Sequence, residues 1–170
     1  MAGFRERAAE GLQVGDTFRT SRTFTADDAV SFAQISRDYN PVHFDARVAR
    51  ARNVSAPICQ GLLSASLATE IGGQIGWLAS AMNFRFKGPV YVGERITCSW
   101  VITAIDQNGR AKAAVTIAKE DGVTVIEAEI SGIVPGFEER KVLSQMLSEG
   151  DPTNGLTRPV PGLVPSRVGP

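Results

Sequence analysis

The chain has 170 residues, 18 Lys and Arg against 18 Asp and Glu, a formal net charge of zero and a pI near 6.6. That length suits one domain with a substantial core, and the charge balance excludes the basic footprint of a nucleic-acid-binding protein. No apolar run approaches the ~20 residues that cross a bilayer, and residues 1–11 carry Arg5, Glu6, Arg7 and Glu10 with no apolar signal-like stretch, so a cytoplasmic protein with no membrane partner is expected. Cys59 and Cys98 supply no disulfide framework and read as reduced thiols.

Residues 1–15 read as an N-terminal extension. Phe18, Thr20, Arg22 and Phe24 then alternate as in a strand. Thr25-Ala26-Asp27-Asp28 has the form of a helix N-cap with an acidic residue three positions on, which predicts a helix over residues 26–37. Its expected buried stripe is Ala29, Val30, Phe32, Ala33 and Ile35.

The next segment, Asp38-Tyr39-Asn40-Pro41-Val42-His43, places a carboxylate five positions before the sequence's single histidine. Pro41 fixes its own φ and drives Asn40 toward extended backbone, so the helix stops and the Asp38 and His43 side chains can converge on one pocket. A converging carboxylate and imidazole are what general acid–base catalysis requires, and a hydrogen-bonded turn is the plain structural alternative.

A short basic stretch, residues 46–52, precedes Pro57-Ile58-Cys59-Gln60-Gly61-Leu62-Leu63, which reads as a turn opening an apolar, small-residue helix over residues 61–75. Such a composition suits a helix enclosed by a sheet. A glycine at its start lets a ligand approach the backbone, and the unpaired N–H groups with the positive end of the helix dipole suit a developing oxyanion at Gly61.

From Ala81 the pattern turns to β, with Met82, Phe84 and Phe86 alternating with Asn83, Arg85 and Lys87. Asn108-Gly109 and Asp121-Gly122 are hairpin signals that divide three strands, residues 94–106, 110–119 and 123–134, into a meander. Without strand–helix alternation the architecture is α+β. Residues 138–147 are expected to form a short helix with Val142, Leu143, Met146 and Leu147 on one side, and the proline- and glycine-rich residues 150–170 read as extended or disordered, or as a flap over a neighbouring subunit.

Three ordered motifs carry a resemblance to the MaoC-like hydratases and dehydratases, which include the (R)-specific enoyl-CoA hydratases. They are Asp38-x-Asn40-Pro41-x-His43, then Pro57-Ile58-x-x-Gly61-Leu62-Leu63, then Phe86-Lys87-x-Pro89-Val90-x-Val92-Gly93-Glu94. The resemblance covers residues 16–135 and leaves residues 136–170 as a C-terminal helix and tail. It implies a hotdog fold, an antiparallel sheet wrapped around one central helix, paired into a dimer or a double hotdog, with a homodimer or higher homo-oligomer expected. It further implies reversible addition of water to a trans-2-enoyl-CoA to give an (R)-3-hydroxyacyl-CoA, in the setting of fatty acid metabolism. Asp38 and His43 take the catalytic roles and Gly61 the oxyanion-binding one. Asn40, Gln60, Leu62, Ser66 and Thr69 are the expected substrate-binding or supporting positions, and Gln60 departs from the histidine that many relatives carry there.

The chemistry agrees with that assignment. Hydration needs a base for water, an acid for the α-carbon and donors for the enolate oxygen, and the thioester is its own electron sink, so no cofactor or metal is expected beyond the coenzyme A of the substrate. One histidine and two distant cysteines do not make a closed zinc site, and Gly72-Gly73-Gln74-Ile75-Gly76 lacks the spacing and ending of a phosphate loop. Cys59 reads as inert packing rather than a nucleophile for His43. Arg47, Arg50 and Arg52 read as a solvated face, with a rim for coenzyme A phosphates as the functional alternative, and Trp77 and Trp100 as core rather than adenine platforms. The competing functions are a hotdog acyl-CoA thioesterase and a non-catalytic acyl-thioester-binding subunit.

Overall fold

The computed structural model describes residues 3–155. In chain order it contains α1 (Phe4–Glu10), β1 (Thr17–Thr23), α2 (Ala26–Ser36), a 3₁₀ turn (Pro41–His43), α3 (Ala46–Ala51), α4 (Gly61–Gln74), β2 (Leu78–Phe86), β3 (Arg95–Ile105), β4 (Arg110–Lys119), β5 (Thr124–Ile133) and α5 (Phe137–Ser148). The strands form one antiparallel sheet in the order β1-β3-β4-β5-β2. The strand–turn–strand meander of β3, β4 and β5 is therefore the sheet's centre, and its alternation is strict: Ile96, Cys98, Trp100 and Ile102 point to the core, as do Ala111, Ala113, Val115 and Ile117. Asp106 shapes the first hairpin by accepting bonds from the N–H groups of Asn108 and Arg110.

That apolar face packs on α4. Leu63, Ala65, Leu67, Ala68, Ile71 and Gly72 are all buried, and they share one continuous core with the meander. Leu62, Thr69 and Gly73 remain exposed along the other side of the helix. A Cβ at Gly72 would stand 3.8 Å from the Trp100 ring, and Trp77 meets Trp100 edge to face at 5.1 Å between ring centroids. Both tryptophans are buried, so neither offers a platform for an adenine.

Several elements differ from the sequence reading, each for an identifiable reason. In α2 the capping box forms as expected between Thr25 and Asp28, but only Ala29 and Ala33 of the stripe are buried, with Phe32 half-buried. Val30 and Ile35, 45% and 85% exposed, lie about 80° and 140° from the middle of the Ala29–Ala33 row and miss the buried face. β2 starts at Leu78 rather than Ala81, and its alternation does not translate into burial, because it is an edge strand paired only with β5. The N-terminal extension contains α1, which buries Ala8, stacks Phe4 on Phe18 and packs on α5. The basic stretch forms α3, capped by Asp45, with Arg47, Arg50 and Arg52 exposed.

The start of the C-terminal tail is anchored rather than extended. Arg5 approaches Asp151 at 3.7 Å, and Gln74 bonds both the Thr153 carbonyl and the Gly155 N–H. The remainder of the proline- and glycine-rich segment, and any flap it makes, lies outside the described residues.

Gly132 in β5 marks the tightest point of this packing. A Cβ there would lie 2.6 Å from the Leu78 carbonyl oxygen and closer still to the Trp77 indole nitrogen, in the stretch where β2 and β5 shift register between Ala79 and Ala81. A backbone oxygen cannot rotate away, so Gly132→Ala is expected to destabilise the protein by about 2 kcal/mol or more, measured by urea unfolding. A loss below ~0.5 kcal/mol would mean that β2 can slide away from β5 without penalty.

Candidate active site

The site is assembled where α2 ends. Arg37 adopts the left-handed conformation (φ 59°) and its N–H bonds the Ala33 carbonyl at 2.7 Å, closing the helix and redirecting the chain. A relay of short side chains then holds the turn. Ser36 Oγ accepts from the Asp38 N–H, Asp38 Oδ1 accepts from the Asn40 N–H at 3.3 Å, and Asn40 Oδ1 accepts from the Val42 N–H at 3.2 Å. Pro41 occupies the first position of the 3₁₀ turn, and His43 ends it.

His43 is oriented from the far side. Its Nδ1 lies 2.8 Å from the Ile58 carbonyl oxygen. A carbonyl only accepts, so Nδ1 carries the proton, and in the neutral ring Nε2 holds the lone pair. Nε2 faces Asp38 Oδ2 at 3.6 Å, too far for a direct hydrogen bond but right for two groups that share a small molecule between them. The imidazole is 9% exposed and the carboxylate 44%, so Asp38 approaches the ring from the solvent rim. Ile58 is itself fixed: its N–H bonds the Val42 carbonyl, it bridges to Tyr91, and the next residue, Cys59, bonds the Val90 carbonyl at 2.8 Å.

His43, Ile58, Gly61, Ser64, Phe86 and Val90 line a common cavity of about 340 Å³. Gly61 is the first residue of α4, so its N–H has no acceptor within the helix and opens at the positive end of a 14-residue helix dipole. The requirement for glycine here is steric as well, because a Cβ would stand 2.9 Å from the Phe86 ring. The structure thus brings Asp38, Asn40, His43 and Gly61 into one neighbourhood.

The supporting positions are distributed differently. Gln60 is fully buried and donates from Nε2 to the Ala29 carbonyl at 3.0 Å, tying the start of α4 to α2 rather than lining the cavity. Leu62 and Thr69 face outward, and the hydroxyls of Ser66 and Thr69 are spent on the Leu63 and Ser66 carbonyls. Two contributors escape the sequence reading. The Ile58 carbonyl is a backbone group that only tertiary structure can aim at a ring. Ser64 was visible as the residue one turn after Gly61, since positions i and i+3 share a helix face.

A model of the MaoC-like domain matches residues 9–125, and the chain belongs to that family. It is 31% identical over 131 residues to a mitochondrial 3-hydroxyacyl-[acyl-carrier-protein] dehydratase of Solanum lycopersicum, covering 74% of this chain and 79% of that one. With the (R)-specific enoyl-CoA hydratase of Aeromonas caviae the identity is 34% over 105 residues, covering 59% and 78%. The solved structure of an A. caviae (R)-hydratase involved in PHA biosynthesis superposes with a TM-score of 0.69 at 30% identity, over 74% of this chain and 99% of that chain. The fold is the hotdog, and the anticipated sheet around a central helix is its signature.

Cys59 also lines the cavity, and burial pushes its thiol up to about 11 from an ordinary value near 9. Because the folded value is the higher one, this thiol's contribution to stability is fully present below pH 9 and is lost as the pH rises through 11. The raised value keeps the thiol protonated at neutral pH, in keeping with inert packing. Iodoacetamide at pH 8 is expected to modify Cys59 about 10²-fold more slowly in the native protein than in denaturant, followed by peptide mapping. Rapid native labelling would show a thiolate in the cavity and overturn this assignment.

Proposed function

We propose that this chain is a hydro-lyase that reversibly adds water to a trans-2-enoyl-CoA, giving an (R)-3-hydroxyacyl-CoA. The observation that carries the reading is the approach of Asp38 Oδ2 to within 3.6 Å of His43 Nε2, with His43 and Gly61 lining one cavity. Two acceptors facing each other across that distance suit a water that donates one O–H to each, leaving its oxygen lone pair free for attack.

In the forward direction the water oxygen bonds to C3 of the enoyl group. The C2–C3 π pair moves to C1–C2, and the thioester oxygen becomes an enolate oxygen accepting from the Gly61 N–H. Asp38 and His43 between them take the proton from water and return one to C2, which collapses the enolate and completes the addition. No electrons leave the substrate, and the reverse sequence is dehydration. Donors preorganised at the enolate oxygen act most strongly in the transition state, where the charge develops. A thioesterase would need water aimed at the thioester carbon C1 instead, two carbons from the C3 attacked in hydration.

The uncovered surface supports a homodimer. The edge strand β2 is exposed over nearly its full length, with Leu78, Met82 and Phe86 among the largest exposed apolar side chains, and a long apolar edge invites pairing with a second copy. The exposed row of Leu62, Thr69 and Gly73 on α4 is a further unpartnered face.

Loss of enoyl-thioester absorbance on mixing the protein with crotonyl-CoA, with chiral analysis of the product, tests the activity. Asp38→Asn and His43→Ala are each expected to lower turnover by about 10²-fold or more while retaining the fold by circular dichroism. Release of free thiol without hydration would move the assignment to a thioesterase, and a preference for the crotonyl-acyl carrier protein would change the carrier. Sedimentation is expected to give twice the 18.2 kDa of one chain, and Met82→Asp to give the monomer; a monomeric parent would leave β2 a free edge.

A further inference from the structure

The Ser64 hydroxyl is an anomaly of α4. A serine or threonine inside a helix ordinarily returns its hydroxyl to a carbonyl three or four residues back, as Ser66 does to Leu63 and Thr69 to Ser66 on this same helix. Ser64 makes no such bond. Its residue is only 2% exposed and its Oγ has no hydrogen-bond partner among the described residues. Buried hydroxyls without partners are rare, and this one lies on the wall of the cavity that holds His43 and Gly61.

We propose that Ser64 is a second hydrogen-bond donor to the substrate's thioester oxygen, acting beside the Gly61 N–H. The inference rests on the hydration reading above and adds a residue to it. Helical side chains lean toward the N-terminus of their helix, so Ser64 Oγ leans back over the first turn, where the Gly61 N–H opens. The two donors are one turn apart on one face, and an enolate oxygen has lone pairs for both. No acceptor among the described residues takes the Ser64 hydroxyl. His43 Nδ1 donates to Ile58, and the surrounding wall of Val54, Val90 and Ile126 is apolar. In that setting a hydroxyl strengthens its bond as negative charge grows on the oxygen, which places its effect in kcat rather than in substrate binding.

The test uses a conjugated probe, cinnamoyl-CoA, bound to the Asp38→Asn variant so that the probe is not consumed. Donors on its carbonyl oxygen draw electron density along the conjugated system and move its absorption to longer wavelength. The expected result is a red shift in Asp38→Asn, a shift at least halved in Asp38→Asn with Ser64→Ala, and recovery with Ser64→Thr in the same background. In the otherwise native chain, Ser64→Ala is expected to lower kcat by about 10- to 10²-fold with KM changed less than about 3-fold. Its melting temperature should be unchanged or higher, because a buried hydroxyl without a partner has been removed; a purely structural hydrogen bond would move it the other way. A full red shift in the double variant would overturn the role of Ser64 and leave the hydration reading standing. A parent variant that binds no probe, or binds it with no red shift, would remove the thioester carbonyl from the α4 terminus and overturn both.

Discussion

The enclosure of α4 by the meander is the constraint on which the rest of the molecule depends. Leu67, Ile71 and Ile75 are fully buried in the core shared with β3, β4 and β5, and each buried side chain of that size contributes about 1.5–3 kcal/mol relative to exposure. A helix gripped in this way resists sliding along its axis, because Leu67, Ile71 and Ile75 share one core with the edge-to-face pair of Trp77 and Trp100. Fixing the axis also fixes the place where the helix begins. The Gly61 N–H is thereby held at the cavity by packing two and three turns away from it, and the site inherits its rigidity from the core.

The second consequence concerns the loop that supplies the imidazole. His43 sits on a 3₁₀ turn whose own hydrogen bonds are local, so the turn needs an external reference to aim the ring. That reference is the Ile58 carbonyl, in the segment that leads directly into α4 and is bonded to Val42, Val90 and Tyr91. Gln60 adds a second tie, from the N-cap of α4 to Ala29 in the first turn of α2. The Asp38–His43 loop and the Gly61 terminus are thus two parts of one connected frame. Displacing α4 would shift the imidazole and the Gly61 N–H together, preserving their separation better than independent loops would.

What the sequence made legible follows from how local each signal is. The capping box of Thr25 and Asp28, the hairpin at Asn108-Gly109 and the Asp38-to-His43 turn are determined by residues within a few positions of one another, and each forms where its residues predict. The enclosed helix was legible for a related reason, since small and apolar residues on nearly all sides leave few other environments. Burial that depends on which elements lie alongside was not legible. Ile35 and Val30 are as apolar as Ala33, yet nothing covers their side of α2; β2 alternates correctly, yet lies at the sheet edge. The short α1, with no side-chain cap, forms against α5, about 130 residues distant in the chain, and no pattern within seven residues announces such a partner.

The same distinction runs through the site itself. Asp38, His43 and Gly61 lie in ordered motifs because their chemistry demands a proline-stiffened turn and a helix start, both of which leave marks in sequence. Gln60 and Ser64 are marked only by their positions beside and one turn after Gly61, since any buried polar residue reads as a propensity defect until its surroundings are known. Gln60 resolves half of that defect by donating to Ala29, with its own Oε1 left unpaired, whereas Ser64 resolves none of it within the protein. An apolar side chain at position 64 would suit the core better by every packing criterion. A buried hydroxyl without a partner among the described residues, one turn from the Gly61 N–H and on the wall of the cavity, is the feature on which the proposed role of Ser64 rests.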